Sequence, residues 1–474
     1  MVMLRPFRPL RYNPAVVGDL AAVVAPPYDV ISAAHRDALH ERSERNVIRL
    51  ILNRAADPYG TAAQLLQTWR RDGVLMRDRA PALCCYVEDF VLPNGEARQR
   101  AGIIGVVRLE PFTSGQIHPH ERTLARPKED RMRLLRACRT NLSPLFGLFA
   151  DKLQVLGPAK EIAGARPPDI DVRDDANVRH RLWLLTQPSL IAHISAALAE
   201  ESIVIADGHH RYETALAYAE ERRAQGGDDP DAAYNFVLMY LTSMNHPGLV
   251  ILPTHRVLSK AVNIDAPTFI AQLQQHFSLR RFPRSAPEQF LAALRESPRQ
   301  AALGVSNPLH PSQVALGAAP ERANPVLSPV EGGERPGGLT ARGSASFGRF
   351  GVMLAGEGDL LLATLDDSAV TDQYAAHLHP VVRRLDVTIL DTVILRGLIG
   401  VDVTAAAQDG RLAYTHDDAA ALHAVDQQAQ AAFLMNPPDV ADVQAVCLAR
   451  QTMPEKSTYF YPKLLSGLVF HPLD

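Results

Sequence analysis

The chain has 474 residues, enough for about three units at ~150 residues each or for two larger ones. Hydrophobic residues make up 47% of it and charged residues 21%, so it can fill sizeable cores and is not disordered as a whole. Lys and Arg number 49 against 52 Asp and Glu, a net charge of −3, which excludes a general attraction to nucleic acid or an anionic membrane and leaves room only for a local basic pocket. No apolar run approaches the ~18 residues that span a bilayer. Residues 1–10 carry Arg5 and Arg8 but lack the apolar core of a secretory signal, so the expected location is the cytoplasm. Cys84, Cys85, Cys138 and Cys447 contain no CxxC pair and read as ordinary reduced residues.

Residues 62–69 place Leu65, Leu66 and Trp69 on one side of a helix. Two apolar, β-rich runs, 82–92 and 98–109, flank Asn94-Gly95, a strong hairpin signal because both turn residues must accept positive φ. A polar loop over 113–123 and a charged helix over 128–138 follow. A short strand, 202–206, breaks at Asp207-Gly208-His209. A helix over 210–223 comes next, with Tyr212, Ala215, Leu216 and Ala219 at i, i+3, i+4, i+7, and then a buried-type strand over 235–241. Residues 307–346 hold six prolines and six glycines in 40 positions, the composition of a poorly packed insertion. Beyond it the pattern predicts strands at 351–354 and 360–365, apolar helices at 385–398 and 417–428, and a strand at 431–435. The expected class is mixed α/β (α+β). The expected divisions are 1–150, 151–306, the insertion 307–346, and 347–474.

Walker, GxGxxG, GxSxG and HExxH signatures are all absent. Four constellations remain. In Ile205-Ala206-Asp207-Gly208-His209-His210-Arg211 a strand delivers an acid, a glycine, two histidines and an arginine to a helix N-terminus. There free N–H groups and the helix dipole favour an anion such as phosphate, and Asp207 could hold Mg²⁺ against it. The plainer alternative makes Asp207 an N-cap and the histidines surface residues. His118-Pro119-His120-Glu121-Arg122 offers a loop carboxylate suited to general-base work or metal binding, or merely a solvated loop. Ala25-Pro26-Pro27-Tyr28-Asp29 is either a rigid ligand wall or a lead-in to a helix capped by Asp29 or Ser32. Lys456-Ser457-Thr458, followed by Tyr459, Phe460 and Tyr461, could touch phosphate and pack a base, or form a buried terminal strand.

Together, Pro6-Phe7-Arg8, the 25–31 stretch, His120-Glu121, Asp130-Arg131, the 206–215 stretch and Lys456-Ser457-Thr458-Tyr459-Phe460-Tyr461-Pro462-Lys463-Leu464 resemble the bacterial and archaeal family called domain of unknown function 1015. More distantly, residues 207–215 are similar to the nucleotide motif of ParB proteins and sulfiredoxins. Asp207-Gly208-His209-His210-Arg211 is more similar still to the D-G-H-x-R of ParB-like kinases that phosphorylate free serine. That resemblance implies a ParB/sulfiredoxin-like nucleotide-binding core, with Glu121 as base and Asp207, His209 and Arg211 at the nucleotide phosphates and Mg²⁺. The nucleotide-side candidates are Gly208, His210, Tyr28, Asp29, Lys456, Ser457 and Thr458. The chain departs from such kinases in its length and in the wide spacing from Glu121 to Asp207, and it lacks the reactive cysteine of sulfiredoxin chemistry. The expected activity is transfer of a phosphoryl group from ATP or ADP, with Mg²⁺, to a small hydroxylated metabolite, free serine being the acceptor the resemblance names. The expected partners are those small molecules, without nucleic acid or membrane. The alternatives are a ParB-like nucleotide switch with slow hydrolysis and a metal-dependent hydrolase using His118, His120 and His209.

Overall fold

The computed structural model describes residues 1–123, 125–152, 154–226, 229–296 and 348–474. The insertion expected at 307–346 lies outside the described residues. The protein is a mixed α/β protein built on two large sheets, with three two-stranded ones beside them among the described residues. Among the described residues the larger sheet has nine strands. Their spatial order is Ile117–Pro119, Ile203–Asp207, Leu145–Phe149, Phe236–Ser243, Ala97–Arg108, Leu83–Val91, Arg179–Leu185 and Ile170–Arg173, with Leu4–Arg5 beside Ala97–Arg108. Most neighbours are antiparallel, but Ile203–Asp207 runs parallel to Ile117–Pro119, and Phe236–Ser243 parallel to Leu145–Phe149. The smaller sheet has six antiparallel strands, ordered Phe277–Pro283, Asp359–Leu365, Arg349–Leu354, Ala429–Met435, His255–Ser259 and Leu412–Thr415.

The hairpin forms where the turn chemistry places it. Val91 pairs with Ala97, and Gly95 takes φ +84°, which its lack of a Cβ makes cheap. The first helix read from the pattern extends over Pro58–Arg71, because Asp57 caps it and Pro58 fits the first turn. Ser32, not Asp29, caps Ala33–Arg42, its hydroxyl accepting from the His35 amide at 3.2 Å. The loop expected at 113–123 contains the strand Ile117–Pro119. Three residues that include a histidine and a proline show no alternation, and only the pairing with Ile203–Ile205 makes them a strand. The helix expected at 385–398 begins as α at Asp386–Ile389 and continues as a wider π-type helix over Leu390–Leu398. The hydrogen-bonded sheets cut across the expected divisions. The larger draws strands from both sides of residue 150, and the smaller gathers strands from 255 to 435.

One apolar core is continuous across both sheets and joins Phe146, Leu238 and Ile104 to Phe350, Phe433 and Ile394. A second fills the opposite face of the larger sheet, where Pro188–Ala199 and His209–Gly226 pack. A third belongs to the N-terminal helices around Trp69 and Leu39. Among the described residues no helix is long and apolar enough to cross a membrane. All four cysteines are buried thiols, and burial raises Cys84, Cys85, Cys138 and Cys447 above the usual thiol value.

Candidate functional site

The site begins with two parallel strands. Ile117, His118 and Pro119 run beside Ile203, Val204 and Ile205, so Glu121 and Asp207 leave the same edge in the same direction. The Asp207 strand is buried along Ile203–Ala206, which makes a rigid floor. Gly208 then turns at φ +93°, and the helix His209–Gly226 starts. A Cβ at Gly208 would stand 2.6 Å from Leu145 Cδ2 and 2.9 Å from Arg211 Nη2, so both the backbone angle and the space require glycine.

Asp207 is held by two cations. Arg211 Nη2 donates to its Oδ2 at 2.7 Å, and the Lys463 ammonium donates to Oδ1. Burial opposes ionisation, but Lys463 and Arg211 outweigh it and hold the Asp207 carboxyl well below the usual carboxylate range. Burial likewise pulls on Lys463, yet Asp207 and then Asp29 keep it raised above the usual lysine value. Arg211 spends its second terminal nitrogen on Ser143 Oγ at 2.9 Å and Pro144 O at 2.7 Å. In this structure it braces Asp207 instead of reaching outward.

His120 and His209 form a buried pair with ring centroids 4.6 Å apart. His120 Nδ1–H donates to Ile205 O at 2.5 Å, because a carbonyl can only accept, and Nε2 therefore accepts from Thr458 Oγ1 at 2.7 Å. The His120 amide donates to His209 Nε2 at 3.3 Å, which leaves Nδ1 to carry the proton of a neutral His209. Burial pushes His120 down to about 4 and His209 well below its usual value, so both are neutral at pH 7.

Glu121 accepts the Lys456 amide at Oε1, 2.6 Å away. Burial pushes its carboxyl up to about 7 against that hydrogen bond, the charges of Lys456 and Lys463 pulling the other way. A carboxylate in that range is a usable base at neutral pH. Lys456 itself takes φ +57°, uncommon for a residue with a Cβ, where the chain turns its amide onto Glu121.

Other sequence candidates fall into place around these groups. Tyr28 lies under Arg131, whose Cζ is 4.1 Å from the ring centroid, and burial pushes its phenol up to about 12. Ala25 and Ser466 exchange backbone hydrogen bonds, which brings the 25–30 turn, with Asp29, against the segment that carries Lys463. Burial lowers His210, and Glu213, Lys456, Asp29 and Lys128 act on it electrostatically. Ser457 is 1% exposed and gives its hydroxyl to Pro454 O, while Thr458 serves His120. His118 is half-buried, and burial lowers it too.

Two residues of the site are not among the site candidates read from the motifs. Lys463 closes the aromatic segment but attracts no notice beside Lys456, Ser457 and Thr458. Arg100 is the fourth residue of the hairpin strand Ala97–Arg108 and is completely buried. Its Nε donates to Glu88 Oε2 at 2.8 Å, and its terminal nitrogens donate to Tyr461 O at 3.0 Å and Pro462 O at 2.6 Å. Arg100 thus ties the hairpin to the two residues before Lys463. Because Arg98 and Gln99 precede it, no local pattern marks Arg100 as buried. Tyr459 completes the wall, with Lys463 Nζ 4.6 Å from one ring face and His416 stacked at 3.6 Å. Beyond it a cleft of about 2020 Å³ opens between the hairpin and the smaller sheet.

Among the described residues no group of three His, Cys, Asp or Glu gathers that could hold a metal ion. Both Asp207 oxygens are already taken by cations, and His120 and His209 are committed as above. The residues therefore do not form a resident metal centre.

The fold and site define a mixed α/β protein with a strand–glycine–helix turn at the meeting point of four separate segments. The chain belongs to the family described as Protein of unknown function (DUF1015), which matches residues 4–388 and so ends before the Lys463 segment. No curated protein matches the chain. Among solved structures it is similar to a free serine kinase mutant in complex with ADP (TM-score 0.32, 7% identity, covering 73% of this chain and 84% of that one). A conserved hypothetical protein from Pyrococcus furiosus gives TM-score 0.31 and 9% identity over 75% and 91% of the two chains. C-terminally truncated SbnI from Staphylococcus aureus gives 0.32 and 10% over 78% and 87%. Values this low carry no conclusion about chemistry.

Proposed function

We propose that the protein binds a nucleotide at the Asp207–Gly208–His209 turn and transfers a phosphoryl group to the hydroxyl of a small metabolite, with Glu121 as the base. The observation that carries this reading is the parallel pairing of Ile117–Pro119 with Ile203–Ile205, which brings a carboxyl poised near neutrality to the same edge as the helix N-terminus and the Lys463 ammonium. Phosphoryl transfer asks chiefly for positioning and for charges that meet the phosphates. The first free amides of the helix from His209, the neutral His209 Nδ1–H and the ammoniums of Lys463 and Lys456 supply donors and positive charge. Asp207 holds Lys463 in place, and Arg211 holds Asp207. Glu121 would receive the acceptor's proton as the hydroxyl attacks. ATP or ADP is the donor to test. Mg²⁺ would enter as the counter-ion of the nucleotide, as part of the substrate, since among the described residues the carboxylates do not assemble a site for it.

Thermal stabilisation by ATP, ADP, GTP and CTP, with and without Mg²⁺, tests the binding step, because a ligand of the native state raises the melting temperature by mass action. Turnover with hydroxylated metabolites, free serine first among them, tests the chemistry. Stabilisation by no nucleotide would end this reading. Tight binding without turnover on any acceptor would favour the nucleotide switch.

A further inference from the structure

The turn that carries Lys456 is anchored at both of its ends. Before it, the Met453 amide donates to His120 O at 2.7 Å; after it, Thr458 holds His120 Nε2. Ser457, 1% exposed, closes the turn on Pro454 O. Between these anchors Lys456 takes φ +57° and turns its amide onto Glu121 Oε1 at 2.6 Å. A residue with a Cβ stays in that region when its surroundings hold it there. On the amide side the holder is Glu121. On the carbonyl side it is Arg256, from the strand His255–Ser259 of the smaller sheet.

Arg256 is completely buried. Its Nη1 donates to Thr254 O at 2.5 Å and, at a longer 3.5 Å, to Lys456 O. Its Nε stands 3.4 Å from Asp391 Oδ1 as an ion pair, and its Nη2 has no hydrogen-bond partner among the described residues. Tyr414 lies beside it, with the guanidinium carbon 5.3 Å from the ring centroid. A buried ion pair commonly stabilises a core no better than apolar residues of similar volume, and a partly unpaired guanidinium does worse. Stability alone is therefore a poor account of an arginine here. Its reach to the Lys456 carbonyl supplies a better one.

We propose that Arg256 is a positioning residue, which holds the Lys456 carbonyl so that the Lys456 amide stays on Glu121. It touches no reacting atom and acts through Lys456. That Glu121 is a base rests on the phosphoryl-transfer reading; the link from Arg256 through Lys456 to Glu121 does not. Other groups also face this carboxyl. Lys456, Lys463 and Asp207 act on it electrostatically, Tyr414 of the smaller sheet feels its charge, and Glu455 and Arg122 stand around Lys456. The midpoint of Glu121 alone would mix all of these with Arg256, whereas the Lys456 amide reports the contact itself.

The chain has six lysines, so labelling the full protein with ¹⁵N-lysine gives six amide signals, that of Lys456 being the one lost in Lys456→Arg. In the wild type this signal should titrate with Glu121, and in Glu121→Gln it should not. In Arg256→Met the titration of the Lys456 amide should be largely lost. Arg256→Met combined with Asp391→Asn should lose it too. The combined variant removes both charges together and leaves no buried carboxyl unpaired, which guards against simple unfolding. The Lys260 amide, one residue beyond the strand, should keep its wild-type shift in both proteins. Where turnover is measurable, the rate profile of the combined variant should move up by about one pH unit, because a hydrogen bond to the ionised carboxylate is gone. An unchanged amplitude, even with a shifted midpoint, would make Arg256 a charge and not a positioner, and would overturn the proposal. So would a Lys456 amide that ignores Glu121 in the wild type. A Lys260 signal displaced in both variants would also overturn it, by making Arg256 a support of the sheet. A protein without kinase activity would leave the amide result standing and remove only the base, so the two failures are separable.

Discussion

A carboxyl pushed up to about 7, as Glu121 is by burial, changes its ionisation state across the range in which enzymes work. If Glu121 is the base, the rate should rise with the ionised fraction through about pH 7 and level off above it. Glu121→Gln should cut turnover by roughly 10²-fold or more and flatten that profile, while nucleotide still binds. A pH–rate series on both proteins checks this, and an unchanged rate would move the role elsewhere. The stability sign is opposite to the activity sign. A carboxyl raised in the fold binds a proton that the unfolded chain has already lost, so its contribution is complete below the unfolded value of 4.5 and disappears as pH rises through about 7. Glu121→Gln should therefore melt higher than wild type at pH 8 and close to it at pH 4. Lys463 offers the complementary test. Lys463→Met removes the ammonium on Asp207 and should weaken nucleotide binding by about tenfold or more in calorimetry, the scale of one charge-assisted contact. Equal affinity would place the phosphates away from Asp207.

At the scale of elements, the hairpin Leu83–Val91/Ala97–Arg108 does more than fill the sheet. Its buried Arg100–Glu88 pair, 2.6 Å at its nearest, reaches across to the carbonyls of Tyr461 and Pro462 and so positions the strand end from which Lys463 extends. The network continues through Tyr86, whose hydroxyl donates to His180 Nδ1 at 2.6 Å, and through His180 Nε2, which donates to Asp174 at 3.2 Å. Removing one partner of a buried ion pair leaves an uncompensated charge, at a cost of about 3–5 kcal/mol. Arg100→Met and Glu88→Met should each be that destabilising in urea titrations, and the double variant much less than their sum. An additive result would mean that the two charges do not depend on each other. The helix Asp386–Ile389 starts with a carboxyl shifted in the same direction as Glu121. Burial pushes Asp386 up to about 7 while its Oδ1 accepts the Gly348 amide at 2.6 Å. Asp386→Asn keeps an acceptor there, so it should raise the melting temperature at pH 8 and leave it unchanged near pH 4.

Across the whole molecule the buried and half-buried histidines set the acid limit. Burial pushes His120, His246, His416 and His471 down to about 4 each, so in the fold they stay neutral where an unfolded histidine would take a proton. Their contribution is full above the ordinary value of 6.5 and is lost as pH falls from there to about 4. Melting temperature should accordingly drop steeply between pH 6.5 and 4, and more proton uptake on unfolding should be measured at pH 5 than at pH 8. These four residues come from different parts of the two-sheet body, so the acid transition should be a single cooperative one. A separate early transition in tryptophan fluorescence would show that the regions titrate independently.

The amino-acid sequence by itself determined the hairpin, the helix over His209–Gly226, the strand that feeds it and the strands at 349–354, 359–365 and 429–435, to within a few residues. Each of these carries its own periodicity or turn chemistry, so local physics suffices. The motif residues Asp207, Gly208, His209 and Glu121 were legible for the same reason, as polar groups where a strand or a proline-bearing loop ends. What only the tertiary structure decided was their grouping. Ile117–Pro119 has no pattern of its own and becomes a strand by pairing with residues nearly ninety positions later. Lys463 reaches Asp207 across 256 positions, and Arg211 donates to Asp207 while Ser143 and Pro144 hold its other terminal nitrogen. The ionisation of Glu121 depends on burial by chain that is remote in sequence. Desolvation and ion pairing act through distance in space, and distance in space along a folded chain is not written in the spacing of its residues.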